Sequence, residues 1–512
     1  MTSTNIVIMV TIIAYLALVV IIGLNCSRQN KDTDDFFLGG RKLGPFVTAM
    51  SAEASDMSSW LLLGLPGVAY LAGLAEASWT SIGLAVGTYL NWLIVAKRIR
   101  AYSIKVNAIT VPEFFSARYR DSKKILQLVA AIIIIIFFVP YTASGFSACG
   151  KLFTSLFGID YHVAMIVSAL VIMVYTTLGG FLAASTTDFV QSIIMTIAII
   201  TVFGFGASVA GGWGAVMDNA KSLPGYLELF NTYSVADKAS IPYTPLSIAS
   251  TLAWGLGYFG MPHILLRFMA ARKAEEIKLS RRIASVWVVI SMAVAIFIGV
   301  IGLGVSKVGA IETLEGNNSE TVLVKITELL ASKGWLCAII GGIILAGVLA
   351  ATMSTADSQL LAAASSVTED ILTKKFGVKF AEKTQMLVAR LSVVLISILG
   401  IFLAWNPDSS VFRIVSFAWA GFGATFGPVV LLALFWKRSN LQGSVAGMIA
   451  GAIMVFVWKF GISKLGGAFA IYELLPAFVV AIVVNVIVSL LTKAPEQEIV
   501  DEFEAVKAEL KK

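Results

Sequence analysis

Runs of about twenty apolar residues, the length a helix needs to cross the hydrocarbon core of a bilayer, recur along this 512-residue chain from one end to the other. In lipid a segment must satisfy its own backbone polar groups, and a helix does so within one segment. The pattern predicts an all-α integral membrane protein of thirteen transmembrane helices. They fall at roughly 5–25, 46–72, 75–96, 126–150, 161–183, 188–211, 243–263, 284–306, 335–363, 386–405, 411–435, 441–461 and 471–492. Only 13% of the residues are charged, against about a quarter in a soluble chain. No stretch beyond about thirty residues reads as a separate soluble domain.

Lysine and arginine set the expected orientation. With the N-terminus outside, 29 of the 38 basic residues fall in inner loops or the tail, including Arg28, Lys31, Arg41, Arg98, Lys124, Arg282, Lys375, Lys511 and Lys512. Such a bias predicts an external N-terminus and an internal C-terminus. It also makes the net charge of +7 a matter of topology, with no need of nucleic acid. The basic run Arg267 to Arg282 is expected on the inner surface, against anionic head groups. The first apolar run lacks the basic start and cleavage site of a signal peptide, so it is expected to stay.

Three cysteines (Cys26, Cys149, Cys337) and two histidines (His162, His263) stand at spacings that suit neither a metal site nor a disulfide framework. There is no phosphate-binding loop of the G-x-x-x-x-G-K-[ST] type, so hydrolysis of a nucleotide is excluded as a power source. No nucleophile, base or metal constellation suggests an enzyme. No cofactor or obligate protein partner is called for.

What the chain does is suggested by polar residues inside the apolar runs. Asp56 lies in the run from Pro45 to Leu74, flanked by small and hydroxylated residues from Ser51 to Ser59. A carboxylate at mid-bilayer costs about 2.5–3.5 kcal/mol on insertion scales, and such acids mark ion or solute paths. The run Ala54 to Ser59 predicts a break in the second span, and Trp254-Gly255-Leu256-Gly257-Tyr258-Phe259-Gly260-Met261-Pro262 a break in the seventh. There, glycines and proline should leave backbone groups free for solute or ion. One break alone reads as close packing or a kink. Two breaks five spans apart are the signature of repeats with a site between them. The organisation expected is 1–45, a first helix and inner loop; 46–211 and 243–435, two five-helix repeats separated by an outer loop at 212–242; 436–492, two peripheral helices; and 493–512, an inner tail. In the ninth span Ser354, Asp357 and Ser358 share one helical face. Their oxygens suit a hard cation, although membrane Ser and Thr more often bond their own i−4 carbonyl.

These stretches resemble the sodium:solute symporter family. The resemblance rests on Phe37-Leu38-Gly39-Gly40-Arg41, Leu43-Gly44-Pro45-Phe46, Ala54-Ser55-Asp56-Met57-Ser58, Trp254 to Gly260, Met353-Ser354-Thr355, Ala418-Trp419-Ala420 and Phe426-Gly427-Pro428. Within the family it is strongest to the bacterial branch that carries L-proline, and it runs from about Asp35 to Pro495. It implies a leucine-transporter-like 5+5 inverted repeat in a bacterial cytoplasmic membrane, with sodium as coupling ion and membrane lipid and L-proline as partners. It further implies sodium on the carbonyls of Ala54, Met57 and Ala351 and the hydroxyls of Ser354 and Thr355, with Asp56 and Ser58 beside it. Proline would meet Tyr141, Trp254, Tyr258 and Pro262. A second cation is suggested at Asp188, Ser354, Asp357 and Ser358.

Three residues depart from the family pattern: Glu53 stands in place of glycine, Met261 in place of glutamine, and Asp357 in place of a small hydroxyl residue. Two carboxylates as close as Glu53 and Asp56 do not both ionise readily. Glu53 is therefore expected either protonated or turned to water. Rival readings are another small solute (pantothenate, a sugar, sialic acid), coupling to protons through Glu53 and Asp357, or a membrane sensor. The short tail after Lys493 argues against the sensor.

Overall fold

The computed structural model describes residues 2–27 and 33–510; Arg28, Lys31, Lys511 and Lys512, counted above among the inner basic residues, lie outside them. Among the described residues, ten helices are long and apolar enough to cross a membrane, from Ser3–Cys26 to Leu474–Leu491. The other three expected spans coincide with helices that are shorter or interrupted: 45–72, Tyr161–Val174 and 245–270.

Each interruption has a local cause. Pro45 opens the helix Pro45–Ser59 at a position where its missing N–H costs nothing. That helix breaks at Ser58, whose φ of 49° and ψ of −170° lie in a region nearly exclusive to glycine. Holding serine there stores about 1–3 kcal/mol of strain. A π-helical turn, Trp60–Gly64, and a short helix, Leu65–Ala72, complete the segment. The same backbone shape recurs without strain at Gly180 (φ 68°, ψ −170°), where the run Tyr161–Val209 changes direction. The boundary expected at 184–187 therefore falls several residues earlier. The hydroxyls of Thr186 and Thr187 bond the carbonyls of Leu182 and Ala183 at 2.7 and 2.9 Å, and the helix passes through them intact.

The second broken helix runs as Pro245–Leu252, a 3-10 segment Ala253–Gly260, and Pro262–Ala270. Met261 is extended (φ −76°, ψ 108°), as a residue before proline prefers. Its glycines also serve close packing. A Cβ on Gly255 would come within 2.2 Å of the Gly83 carbonyl oxygen, and one on Gly257 within 1.9 Å of Trp419 Nε1. The carbonyls of Trp254 and Tyr258 are not free, as expected above, but accept from Trp419 Nε1 (2.7 Å) and Asn91 Nδ2 (2.9 Å).

Between the two broken helices passes Trp335–Ser365, buried continuously from Ile344 to Ser365. Arg41 explains its motif: its guanidinium bonds Met269 O at 2.8 Å and Ala108 O at 2.6 Å, tying the end of the second broken helix to the loop before Val111–Arg118. A short helix, Trp213–Lys221, precedes a hairpin that pairs Asn231–Ser234 with Ala239–Pro242. The tail forms a helix, Gln497–Glu509, that buries Ile499, Phe503 and Val506.

Candidate ion and solute site

The break at Ser58 frees main-chain groups in a defined order. The N–H of Trp60 turns to Met57 O and Ser58 Oγ (3.0 Å), so the Asp56 carbonyl takes the Tyr141 hydroxyl instead, at 3.3 Å. One turn earlier, the helix meets Trp335–Ser365 at a junction of oxygens. Ser354 Oγ lies 2.8 Å from Ala54 O and 3.2 Å from Ala351 O, and Thr355 Oγ1 lies 3.2 Å from Ala351 O. Four of the five expected ion ligands thus share one connected cluster. The fifth, the Met57 carbonyl, faces its own helix turn at Trp60.

Asp56 is 6% exposed. Its Oδ2 accepts from the Tyr258 hydroxyl, whereas Oδ1 is buried and takes no hydrogen bond from the protein. A buried carboxylate oxygen without a donor is costly, and here it borders a cavity whose other walls are mainly aromatic and apolar side chains. Glu53, by contrast, is buried and does not turn to water: its Oε1 accepts from Trp92 Nε1 at 2.9 Å and Thr88 Oγ1 at 3.1 Å.

A cavity of about 10 Å³ is lined by Asp56, Met57, Trp60, Leu84, Tyr141, Trp254, Val415 and Trp419. A second of similar size lies beside Ser58, Tyr141, Thr355 and Gln359. Each has room for about one water, so a larger guest must displace a wall. Of the four residues expected against the solute, Tyr141 and Trp254 line the first cavity and Tyr258 reaches it through Asp56; Pro262 is buried at a helix start and lines neither. Beyond Trp254 opens a vestibule of about 850 Å³ walled by Tyr243, Ser250, Phe412, Lys459, Tyr472 and Glu473 among others. Trp254 borders both this vestibule and the small cavity that Asp56 lines. Trp254 stands 5.1 Å from Tyr472, 5.4 Å from Phe412 and 5.6 Å from Trp60, centroid to centroid.

Of the set suggested for a second cation, Asp188 and Ser358 meet around an arginine with Asp357 beside Ser358, whereas the Ser354 hydroxyl faces Ala54 O instead. The Arg267 guanidinium contacts Asp188 Oδ2 at 3.1 Å, Ser51 Oγ at 3.0 Å and the His263 carbonyl at 3.0 Å, and also donates to Ser358 Oγ. Ser51 in turn donates to Asp188 at 2.6 Å, and Ser358 Oγ lies 3.1 Å from Asp357 Oδ1. Arg267 is 1% exposed and Asp188 is fully buried. The reading of Arg267 as a surface residue among lipid head groups is therefore overturned; the exposed part of that run begins at Arg272, paired with Glu276.

The sodium:solute symporter family matches residues 36–451 of the chain. The sodium/proline symporter of Staphylococcus aureus (strain USA300 / TCH1516) is 39% identical over 494 residues, covering 95% of this chain and 93% of that one. The chain belongs to the sodium:solute symporter family. It is a transporter, and no enzyme. Its shape agrees with a sodium-coupled sialic acid symporter solved in a substrate-bound, outward-open state, at a TM-score of 0.77 with 19% identity over 96% of this chain and 99% of that one. A nucleobase-cation-symport-1 family transporter with bromovinylhydantoin bound matches at a TM-score of 0.53 with 14% identity, covering 91% and 98%. The fold is that of the leucine-transporter-like proteins.

In this symporter, sequence reasoning gave no site role to Trp60, Phe412 and Tyr472, although Ser59, Arg413 and Glu473 adjoin them in the chain, and read Trp419 only as part of a motif. It also missed the role of Arg267. That residue carried a signal: an arginine inside the apolar run His263-Ile264-Leu265-Leu266-Arg267-Phe268-Met269 is an intramembrane charge in search of a partner.

Proposed function

We propose that this protein takes up L-proline together with sodium, by alternating access, in a bacterial cytoplasmic membrane crossed thirteen times, with its N-terminus outside and C-terminus inside. The observation that carries the reading is the oxygen junction of Ala54, Ala351, Ser354 and Thr355, two residues along the same helix from the buried Asp56. Sodium would bind there, with Asp56 offsetting its charge and the Met57 carbonyl and Ser58 completing the set. The ion ties the first broken helix to Trp335–Ser365, and so steadies the wall that a solute must meet. Each ligand then raises affinity for the other.

Proline suits the other half of the site. Its pyrrolidine ring packs on Trp254 and Tyr141, and its ammonium faces the aromatic rings, with Tyr258 on the far side. The repeats 46–211 and 243–435 move against each other about this point. One charge carried inward gains about 2.3 kcal/mol per 100 mV, enough to sustain a gradient of roughly fifty-fold. The similarity to the Staphylococcus aureus sodium/proline symporter supports the solute, and the buried, cavity-remote position of Met261 leaves its departure from the pattern without a solute contact.

Radiolabelled L-proline uptake into proteoliposomes, with and without an inward sodium gradient, tests the reading. Sodium-dependent accumulation is expected. Accumulation driven by a proton gradient alone would move the coupling elsewhere, and no uptake in folded protein would make the solute wrong.

A further inference from the structure

The helix Trp335–Ser365 runs directly into a π-helical segment, Ser366–Lys375. Such turns occur frequently at functional sites, and this one carries Asp370, fully buried. Asp370 Oδ1 accepts from Thr110 Oγ1 and from Gln127 Nε2, both at 2.8 Å. Its Oδ2 is buried and takes no hydrogen bond among the described residues. The Gln127 carbonyl oxygen, on the same amide that donates to Asp370, is equally buried and unpartnered. So is the hydroxyl of Ser366, about one turn before Asp370 on the same face. Its neighbour Ser365 returns its hydroxyl to the Ala362 carbonyl at 2.8 Å, the usual habit of a helical serine. Ser366 does not.

Among the described residues no basic side chain bonds Asp370. The charges around it are Glu113, Glu369 and Lys374. Lys374 pairs with Glu113 at 2.9 Å, and Glu369 accepts from Gln385 at 2.6 Å. Three buried oxygens left unmet in one place are costly.

We propose that Asp370, Gln127 and Ser366 hold a monovalent alkali cation, distinct from the ion that drives transport. Hard cations take oxygen ligands, and the one carboxylate with a free oxygen balances one positive charge. Asp370 follows Ser354 by sixteen residues, about 20 Å of helix, so an ion at Ser354 does not reach it. The cation clamps the end of the helix that carries Ser354 to Thr110 and to the start of Ile125–Phe157, the helix that carries Tyr141. It is a resident ion that positions two walls of the transport site from their far ends.

The test reads the unfolding temperature of the full-length protein in detergent, in sodium, potassium or choline chloride at one ionic strength. Asp56→Ala serves as background, so that the coupling ion contributes little. Sodium or potassium is expected to raise the temperature above that in choline, and the arm that does so identifies the ion. Asp370→Asn in this background still accepts from Thr110 and Gln127 but should need roughly 30- to 100-fold more of the ion, the scale of one charged partner. Ser366→Ala, which removes one neutral oxygen, should need roughly fivefold more. Crystals soaked in rubidium chloride should show anomalous density beside Asp370 Oδ2. Equal unfolding temperatures in all three salts, or an unchanged ion requirement in either folded variant, overturn the proposal; so does water alone at Asp370. None of these measurements depends on the solute carried, so failed proline uptake would leave their result standing.

Discussion

Asp56 and Asp188 are both buried carboxylates, yet they are neutralised differently. Asp188 takes a guanidinium at 3.1 Å and a serine hydroxyl at 2.6 Å on Oδ2, and its buried Oδ1 meets no protein donor. Asp56 has a single neutral donor, Tyr258, and one oxygen that no protein donor meets. A protein can neutralise a buried charge permanently or leave it for a visitor to neutralise. The first choice yields an architectural tie, the second a site, and the residues that make the choice lie on elements distant in sequence.

The comparison predicts which acid carries stability and which carries ion affinity. The largest effect is expected from Asp188→Asn, which leaves Arg267 buried without its counter-ion. Removing one partner of a buried pair costs about 3–5 kcal/mol, to be read as a lower unfolding temperature and reduced yield in detergent. A variant as stable as the wild type would break the comparison at once. Next comes Asp56→Ala. Its unfolding temperature should stay near the wild type, while sodium-driven uptake falls by about 30- to 100-fold, the scale of one charged partner. A change in stability with unaltered sodium dependence would reverse the assignment of the two acids.

Ser354→Ala sharpens the comparison on the side of Asp56. Losing a neutral hydroxyl ligand should raise the sodium half-saturation by roughly five- to tenfold, by about 1 kcal/mol, with the maximal uptake rate little changed. The smallest effect is expected from Glu53→Gln. The amide oxygen still accepts from Trp92 and Thr88, so uptake should stay within about threefold by the rule that kept hydrogen bonds keep their energy. A larger loss, with a shifted pH profile of uptake, would make Glu53 a proton carrier.

Much of this was legible along the chain because the bilayer is an unforgiving solvent. Apolar runs of fixed length gave the helices, and the Ala54 to Ser59 and Trp254 to Pro262 segments marked the two breaks through the chemistry of single residues. Asp56 advertised itself by the cost of a charge in lipid. Glycine roles were less legible: whether Gly255 and Gly257 free a backbone or admit a neighbour depends on Gly83 and Trp419, far away in sequence. The shift of the bend from 184–187 to Gly180 has a local reason, since threonine hydroxyls returned to their own helix while glycine alone adopted the positive φ freely.

The sequence by itself determined the membrane class, the two breaks and the family, because these depend on hydropathy, local backbone chemistry and motif order. Only the tertiary structure decided what each charge faces. It turned Arg267 from a surface residue into the buried partner of Asp188, buried Glu53 against Trp92, and set Trp254 between the vestibule and the cavity at Asp56. Electrostatic fate is a property of pairs, and the partners here come from helices separated by tens to hundreds of residues.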